Sequence, residues 1–97
     1  MHKIKFSKRI KTGKSFSRRL RKKDKIPSVI YGKNIKNILI IINNNDLINI
    51  KLEEFFKKKK TLNLSDEKNN LFKVQIIDIQ YHPFKINRLY HIDFLIK

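Results

Sequence analysis

Arg18, Arg19 and Arg21 stand within four residues of one another, in the segment GKSFSRRLRKKDKIPSVIYG that runs from Gly13 to Gly32. Elsewhere the chain strongly prefers lysine, with nineteen Lys against five Arg, so a need for positive charge does not account for them. A guanidinium offers what an ammonium lacks: a flat face that stacks on a base, and a fixed fork of donors that holds a phosphate bidentately. The chemistry of this segment is shape-specific capture of a polyanion, and the three arginines are read as nucleic-acid contacts. The other reactive groups are His2, His82, His91, Asp78 and Asp93. Three scattered histidines match no metal-ligand spacing and form no acid–base pair, so no enzyme and no metal or other cofactor is expected. His91 and Asp93 do share one face of an extended strand. A face carrying His, Asp and Gln amid basic residues can hydrogen-bond base edges; the plainer alternative is a solvated strand surface.

Composition narrows the class. A chain of 97 residues is read as one domain over 1–97, able to bury roughly 60 to 65% of its unfolded surface. Alanine and tryptophan are absent while Ile, Lys and Asn fill almost half of the sequence, a bias that an A/T-rich coding background would produce. Each lysine alone is therefore weak evidence of a contact. The sum is not weak, because a net charge of +16 repels itself and is relieved by a polyanion. Without cysteine there are no disulfides, thiolate metal sites or cysteine nucleophiles, which agrees with a reducing cytosol. The N-terminus MHKIKFSKRIKTGK has no continuous apolar stretch, and the longest apolar run, Ile38 to Ile42, is far short of a membrane span. A cytoplasmic protein without membrane contact is expected.

Period-2 alternation dominates both ends. In KIKFSKRIK, Ile4, Phe6 and Ile10 fall on one face of a strand whose outer face is basic. After a break at Thr12-Gly13-Lys14, SFSRRLRKKD is expected to be a short helix with Ser15 or Ser17 as N-cap, anchored by Phe16 and Leu20, with its arginines splayed outward. Ile26-Pro27 forces an exit into extended chain. SVIY is a second strand ending at Tyr31, a candidate nucleic-acid contact beside the arginine helix, and NILIII is a third, apolar on both faces. Asp46 is expected to cap one helix through DLINIKLEEFFKKKK, with Leu47, Ile48, Leu52, Phe55 and Phe56 on its packed side. Phe55 and Phe56 are read as core, and Lys57 to Lys60 as a solvated, dipole-favoured helix end. TLNL and LFKVQIIDIQYH are further strands, the latter with a bulge at Ile76-Ile77 where the alternation changes phase. In the last strand, RLYHIDFLIK, Tyr90, Ile92, Phe94 and Ile96 are expected to face the core and Leu89, His91, Asp93 and Leu95 the other way. Six strands and two helices without a βαβ rhythm favour a small mixed barrel or a strongly curled sheet.

These segments also resemble a known family. GKSFSRRLRKKDKIPSVIYG near the start and IQYHPFKINRLYHIDF at the far end are similar, in order and separation, to the L twenty-five family of bacterial large-subunit ribosomal proteins, which binds 5S rRNA and is related to the Ctc general stress proteins. The resemblance spans essentially the whole chain. It implies a mixed β fold, a small six-stranded β-barrel with two to three α-helices, in the family's short single-domain form. It further implies a structural constituent of the large ribosomal subunit, monomeric outside the ribosome, that binds an internal loop of 5S rRNA. Carried onto matching positions, Lys14, Ser17, Arg18 and Arg21 would contact RNA, with Arg19 close by. Arg9 and Tyr31 would flank them, and Gln80, His91 and Asp93 would come from the sheet. Family members often have a polar residue where this chain has Ile77. Two other classes are a stress-associated RNA-binding protein of the same fold that is not permanently ribosomal, and a small RNA-processing enzyme, for which the chain lacks a clustered acid–base set.

Overall fold

The alternating stretches become strands of a single closed barrel in the computed structural model, which describes residues 3–9, 14–48, 50–84 and 88–97, with the backbone alone for Lys3 and Lys14. The strands are β1 (Lys3–Lys8), β2 (Lys25–Tyr31), β3 (Ile38–Asn43), β4 (Thr61–Ser65), β5 (Leu71–Tyr81) and β6 (Leu89–Ile96). They pair around the ring in the order β1-β3-β2-β6-β5-β4. Two pairings, β1 with β4 and β2 with β6, are parallel. The others are antiparallel. Three short helices complete the fold: α1 (Lys14–Lys22), α2 (Asn44–Ile48) and α3 (Leu52–Lys57). None is long and apolar enough to cross a membrane.

The inward row of each strand supplies the core. Ile4, Ile30, Ile40, Ile42, Leu64, Val74, Ile92 and Phe94 are all but inaccessible to solvent, and each such side chain contributes roughly 1.5 to 3 kcal/mol on burial. Leu20 and Val29 are also buried but lie outside that central cluster, where α1 packs across β2. The expected anchoring of the helix by Leu20 is thus what holds α1 against the barrel wall. Phe16 is only partly buried.

Local chemistry explains where α1 stops. Asp24 takes a left-handed conformation, φ 57°, and the Lys23 and Asp24 amides donate to the Leu20 and Arg21 carbonyls. Aspartate tolerates this conformation better than most residues, and β2 starts at the next position. The strand therefore begins earlier than SVIY suggested and contains Pro27. Pairing with β6 starts only at Ser28, so no β6 ladder bond is asked of the missing proline N–H. At the other end, α1 already includes Lys14, which places Ser15 and Ser17 inside the helix and not at its cap. Thr12-Gly13, like Ile10, lies outside the described residues.

The expected single helix from Asp46 is two. Leu47 and Leu52 are both buried against the core, yet five residues on a continuous helix turn through about 140°, so one helix could not aim both inward. The chain breaks between them, where Ile48 and Ile50 are also weak helix formers. Asp46 sits within α2 and not at a long helix's cap, and Ile48 is 66% exposed and not packed. Phe55 and Phe56 do pack on the core, partly buried. Lys58 and Lys60 each place an ammonium near the Glu54 carboxylate, at 3.1 and 3.2 Å, so two of the four lysines at this helix end are held locally.

Two bulges re-aim the sheet. Against β6, Ile76 pairs with Phe94 and Asp78 with Asp93, which leaves Ile77 unpaired and exposed where the change of phase predicted it. A second shift lies between Gln80, paired with His91, and Tyr81, paired with Leu89, so Tyr90 is the extra residue. This overturns the expected facing of Tyr90 and Leu89. Leu89 points inward, while Tyr90 is 36% exposed on the outer surface.

Candidate nucleic-acid interface

The outer face shared by β2, β6 and β5 gathers most of the expected site. Antiparallel register sets Gln80 opposite His91 and Asp78 opposite Asp93, so these four polar side chains line one row of neighbours. The parallel pairing sets Val29 of β2 beside Asp93, and Tyr31, partly buried, lies one outward position further along. Above β2, α1 carries Arg18 and Arg19 exposed and Ser17 partly buried. Lys14 belongs to the first turn of α1, and its side chain is outside the described residues.

Arg21 does not splay outward with its neighbours. Its guanidinium lies over the Tyr90 ring, 3.5 Å from ring centroid to Cζ, and its Nε donates to the Tyr90 carbonyl at 3.0 Å. Arg88 closes the latch by donating from Nη2 to the Arg21 carbonyl at 3.0 Å and to Asp24 Oδ1 at 3.2 Å. The helix is thereby tied to the start of β6 through one stacking contact and three hydrogen bonds. Cation–π pairing at a partly exposed site contributes about 0.5 to 1 kcal/mol; its larger effect is to orient the fork.

From the end of β1, Arg9 reaches over β3 to β2 and donates to the Ser28 carbonyl at 3.3 Å, while its Nε is buried without an acceptor. Burial and the nearby positive charge of Arg21 both push the Arg9 guanidinium toward deprotonation, though it starts far above neutrality. The fold thus holds two guanidinium groups within electrostatic reach and leaves them short of carboxylate partners. Such an arrangement is stabilised when an anion sits between them.

The opposite preference is built in beside it. Asp78 and Asp93 are directly opposed across β5 and β6, a like-charge pairing that weakens a sheet. Asp78 accepts from Gln80 Nε2 at 3.3 Å. His91 Nδ1 lies 3.2 Å from Asp93 Oδ1, but without hydrogen-bond alignment, and that buried oxygen accepts from no donor. An incoming N–H would fill it. Burial lowers the His91 pKa below its ordinary value; Asp93 pulls it up, Arg9 and Arg21 push it down, and Asp78 pulls it up. The folded state therefore resists protonating this ring. Stability should be complete above about pH 6.5, the ordinary histidine value, and fall as pH drops through the lower folded pKa. Denaturation midpoints of the free protein across that range should show the fall, and His91→Gln should flatten it.

Sequence reasoning missed Tyr90 and Arg88, and weighed Asp78 only as material for acid–base or metal chemistry. For Tyr90 a signal existed: Leu89-Tyr90 is an apolar doublet in an alternating strand, the same break of phase that marks the bulge at Ile76-Ile77. Among the described residues no three carboxylate or imidazole groups converge as a metal site, and the arrangement is one of donors and acceptors on a basic surface.

A model of the Ribosomal L25p family matches residues 4–94. The chain belongs to the ribosomal L25p family. That match encloses both segments that carried the resemblance, and the closed six-stranded barrel is the fold the resemblance implied. Similar family members include the large ribosomal subunit protein bL25 of Buchnera aphidicola subsp. Acyrthosiphon pisum (strain Tuc7), 43% identical over 86% of this chain and 84% of the relative. The bL25 proteins of Blochmanniella pennsylvanica, 39% identical over 94% of each chain, and of Photorhabdus laumondii, 42% identical over 86% and 85%, are likewise similar. Within this L25p chain the bulged position Ile77 stands on the outer face beside Asp78, apolar and 42% exposed.

Proposed function

We propose that the protein is a structural constituent of the large ribosomal subunit, and that it binds an internal loop of 5S rRNA by laying α1 and the outer face of β2, β6 and β5 along the loop's minor groove. One observation carries this reading: around His91 the fold brings within electrostatic reach the Arg9 and Arg21 guanidiniums, to which no described carboxylate is paired, and Asp93, one of whose oxygens is buried without a hydrogen-bond donor. A phosphate satisfies the guanidiniums and a base amino group the carboxylate oxygen, and nucleic acid carries both groups on one molecule. A loop rich in non-Watson–Crick pairs has a minor groove wide and shallow enough to admit side chains. Relatives named as large-subunit proteins support the ribosomal setting. Footprinting on intact 5S rRNA is the direct test. Protection confined to one internal loop is expected, and protection spread evenly along the helices would overturn the reading.

Asp93→Ala separates base reading from charge attraction. Losing a partly buried carboxylate that faces Asp78 should leave the free protein at least as stable. Binding to the internal loop should weaken by roughly tenfold, as befits a lost charge-assisted hydrogen bond of about 1.5 kcal/mol. Binding to a plain RNA duplex should strengthen, since a negative charge has gone. Tighter binding to both RNAs would remove Asp93 from the interface.

A further inference from the structure

Beyond the latch, the turn after β5 exposes an aromatic group that the basic helix and the polar row do not use. Phe84 is 90% exposed, an extreme value for a side chain of that apolar area. Its position is nonetheless organised. The Phe84 amide donates to His82 Nδ1 at 3.1 Å, and the His82 ring meets Phe84 and Tyr90 edge-on, with centroids 6.1 Å apart in each case. Gln80, Tyr81, Pro83 and these three rings line an open hollow of about 600 Å³. Tyr90 itself carries Arg21 on its ring, so it is occupied; Phe84 offers an uncovered ring.

We infer that Phe84, positioned by His82, whose ring in turn meets Tyr90, is a stacking platform for one unpaired base of the bound RNA, adjacent to the groove that α1 and the β-face contact. Three observations favour an RNA base over a protein side chain as the occupant. The hollow is continuous with Gln80 and, through Tyr90, with Arg21, both on the proposed RNA face. Its flank nearest the latch carries the Arg21 guanidinium on Tyr90, and among the described residues no carboxylate lines the hollow, Glu53 lying behind it on the Tyr81 hydroxyl. A lone exposed ring beside polar groups suits a flat heteroaromatic ring better than the broad apolar patch of a protein partner. The internal-loop location adds the chemistry, because bases outside Watson–Crick pairs can be splayed out and stacked on aromatic side chains.

This inference rests on the proposed 5S rRNA reading, and the test keeps the two apart. The chain has no tryptophan, so Phe84→Trp introduces a single reporter at an exposed position where the fold should not be disturbed. Titrated with a 5S rRNA fragment bearing the internal loop, Phe84→Trp should bind within a few-fold of the unmodified protein, with its indole emission strongly quenched at saturation. Phe84→Leu, apolar but without a π face, should bind roughly tenfold more weakly, about 1.4 kcal/mol, within the range for one base–aromatic stack. Tight binding with unquenched emission, or Phe84→Leu binding as well as the unmodified protein, overturns the platform and leaves the 5S reading intact. Failure of the unmodified protein to bind the fragment overturns the 5S reading itself. Emission that ignores the RNA but shifts to the blue on incorporation into the large subunit would assign Phe84 to a protein neighbour and overturn the inference as well.

Discussion

Raising the salt from about 0.05 M to about 0.2 M should weaken binding of the 5S internal loop by roughly 100- to 500-fold. Five cations carry that expectation: Arg9, Lys14, Arg18, Arg19 and Arg21. If each neutralises one phosphate and releases its condensed counterion, log K falls against log salt with a slope of about −3.5 to −4.5. The remaining charge of the chain, large as it is, should add little, because lysines such as Lys58 and Lys60 are engaged with Glu54 at a helix end outside the proposed interface. Fluorescence anisotropy across a salt series measures the slope. A value near zero would remove the electrostatic basis of the interface, and one near −10 would mean that the whole cationic surface, rather than one face, meets the RNA.

Arg21→Ala should be the most damaging single substitution at the interface, with a loss of about 1 to 3 kcal/mol, or up to about 150-fold in affinity. Two effects combine at this residue. In the proposed interface its guanidinium is a contact, and its stacking on Tyr90 with the Nε bond to the Tyr90 carbonyl sets the angle of α1 and hence the aim of Arg18 and Arg19. Arg21→Lys keeps the charge but loses both the planar stack and the fork, so it should recover little. Tyr90→Leu leaves the guanidinium in place without its support and should fall between the two. Lys58→Ala should change affinity by less than about twofold. Equal losses at Arg21 and Lys58, or full affinity in Arg21→Lys, would show that charge density alone drives binding.

The barrel was legible because its periodicity is strong at both ends: Ile4 and Phe6 in β1, and Ile92 and Phe94 in β6, are buried as alternation requires. The bulge at Ile77 was legible for the same reason, since two adjacent isoleucines in an alternating strand demand a change of phase. Where reading failed, the deciding forces were non-local. The segment 46–57 carries a plausible helical stripe, and only packing on the barrel core, which buries Leu47 and Leu52 together, breaks the helix. Arg21 has the same side chain as Arg18 three residues earlier. What turns it onto the sheet is Tyr90, 69 residues away in the chain, which a second bulge has rotated outward. Composition and order identify the cations, and tertiary structure decides which of them is held in place.

Strand order carries a consequence for the timing of activity. The last strand to be synthesised, β6, is inserted between β2 and β5, so the ring stays open until every other strand has been made. That same strand brings Tyr90, His91 and Asp93. A growing chain that has already exposed its arginine helix still lacks the aromatic seat for Arg21 and the Asp93 acceptor, and on the proposed function it would meet nucleic acid as a loose cationic peptide. On that reading discrimination between RNAs would arrive with closure, which would make completion of folding and acquisition of selectivity a single event.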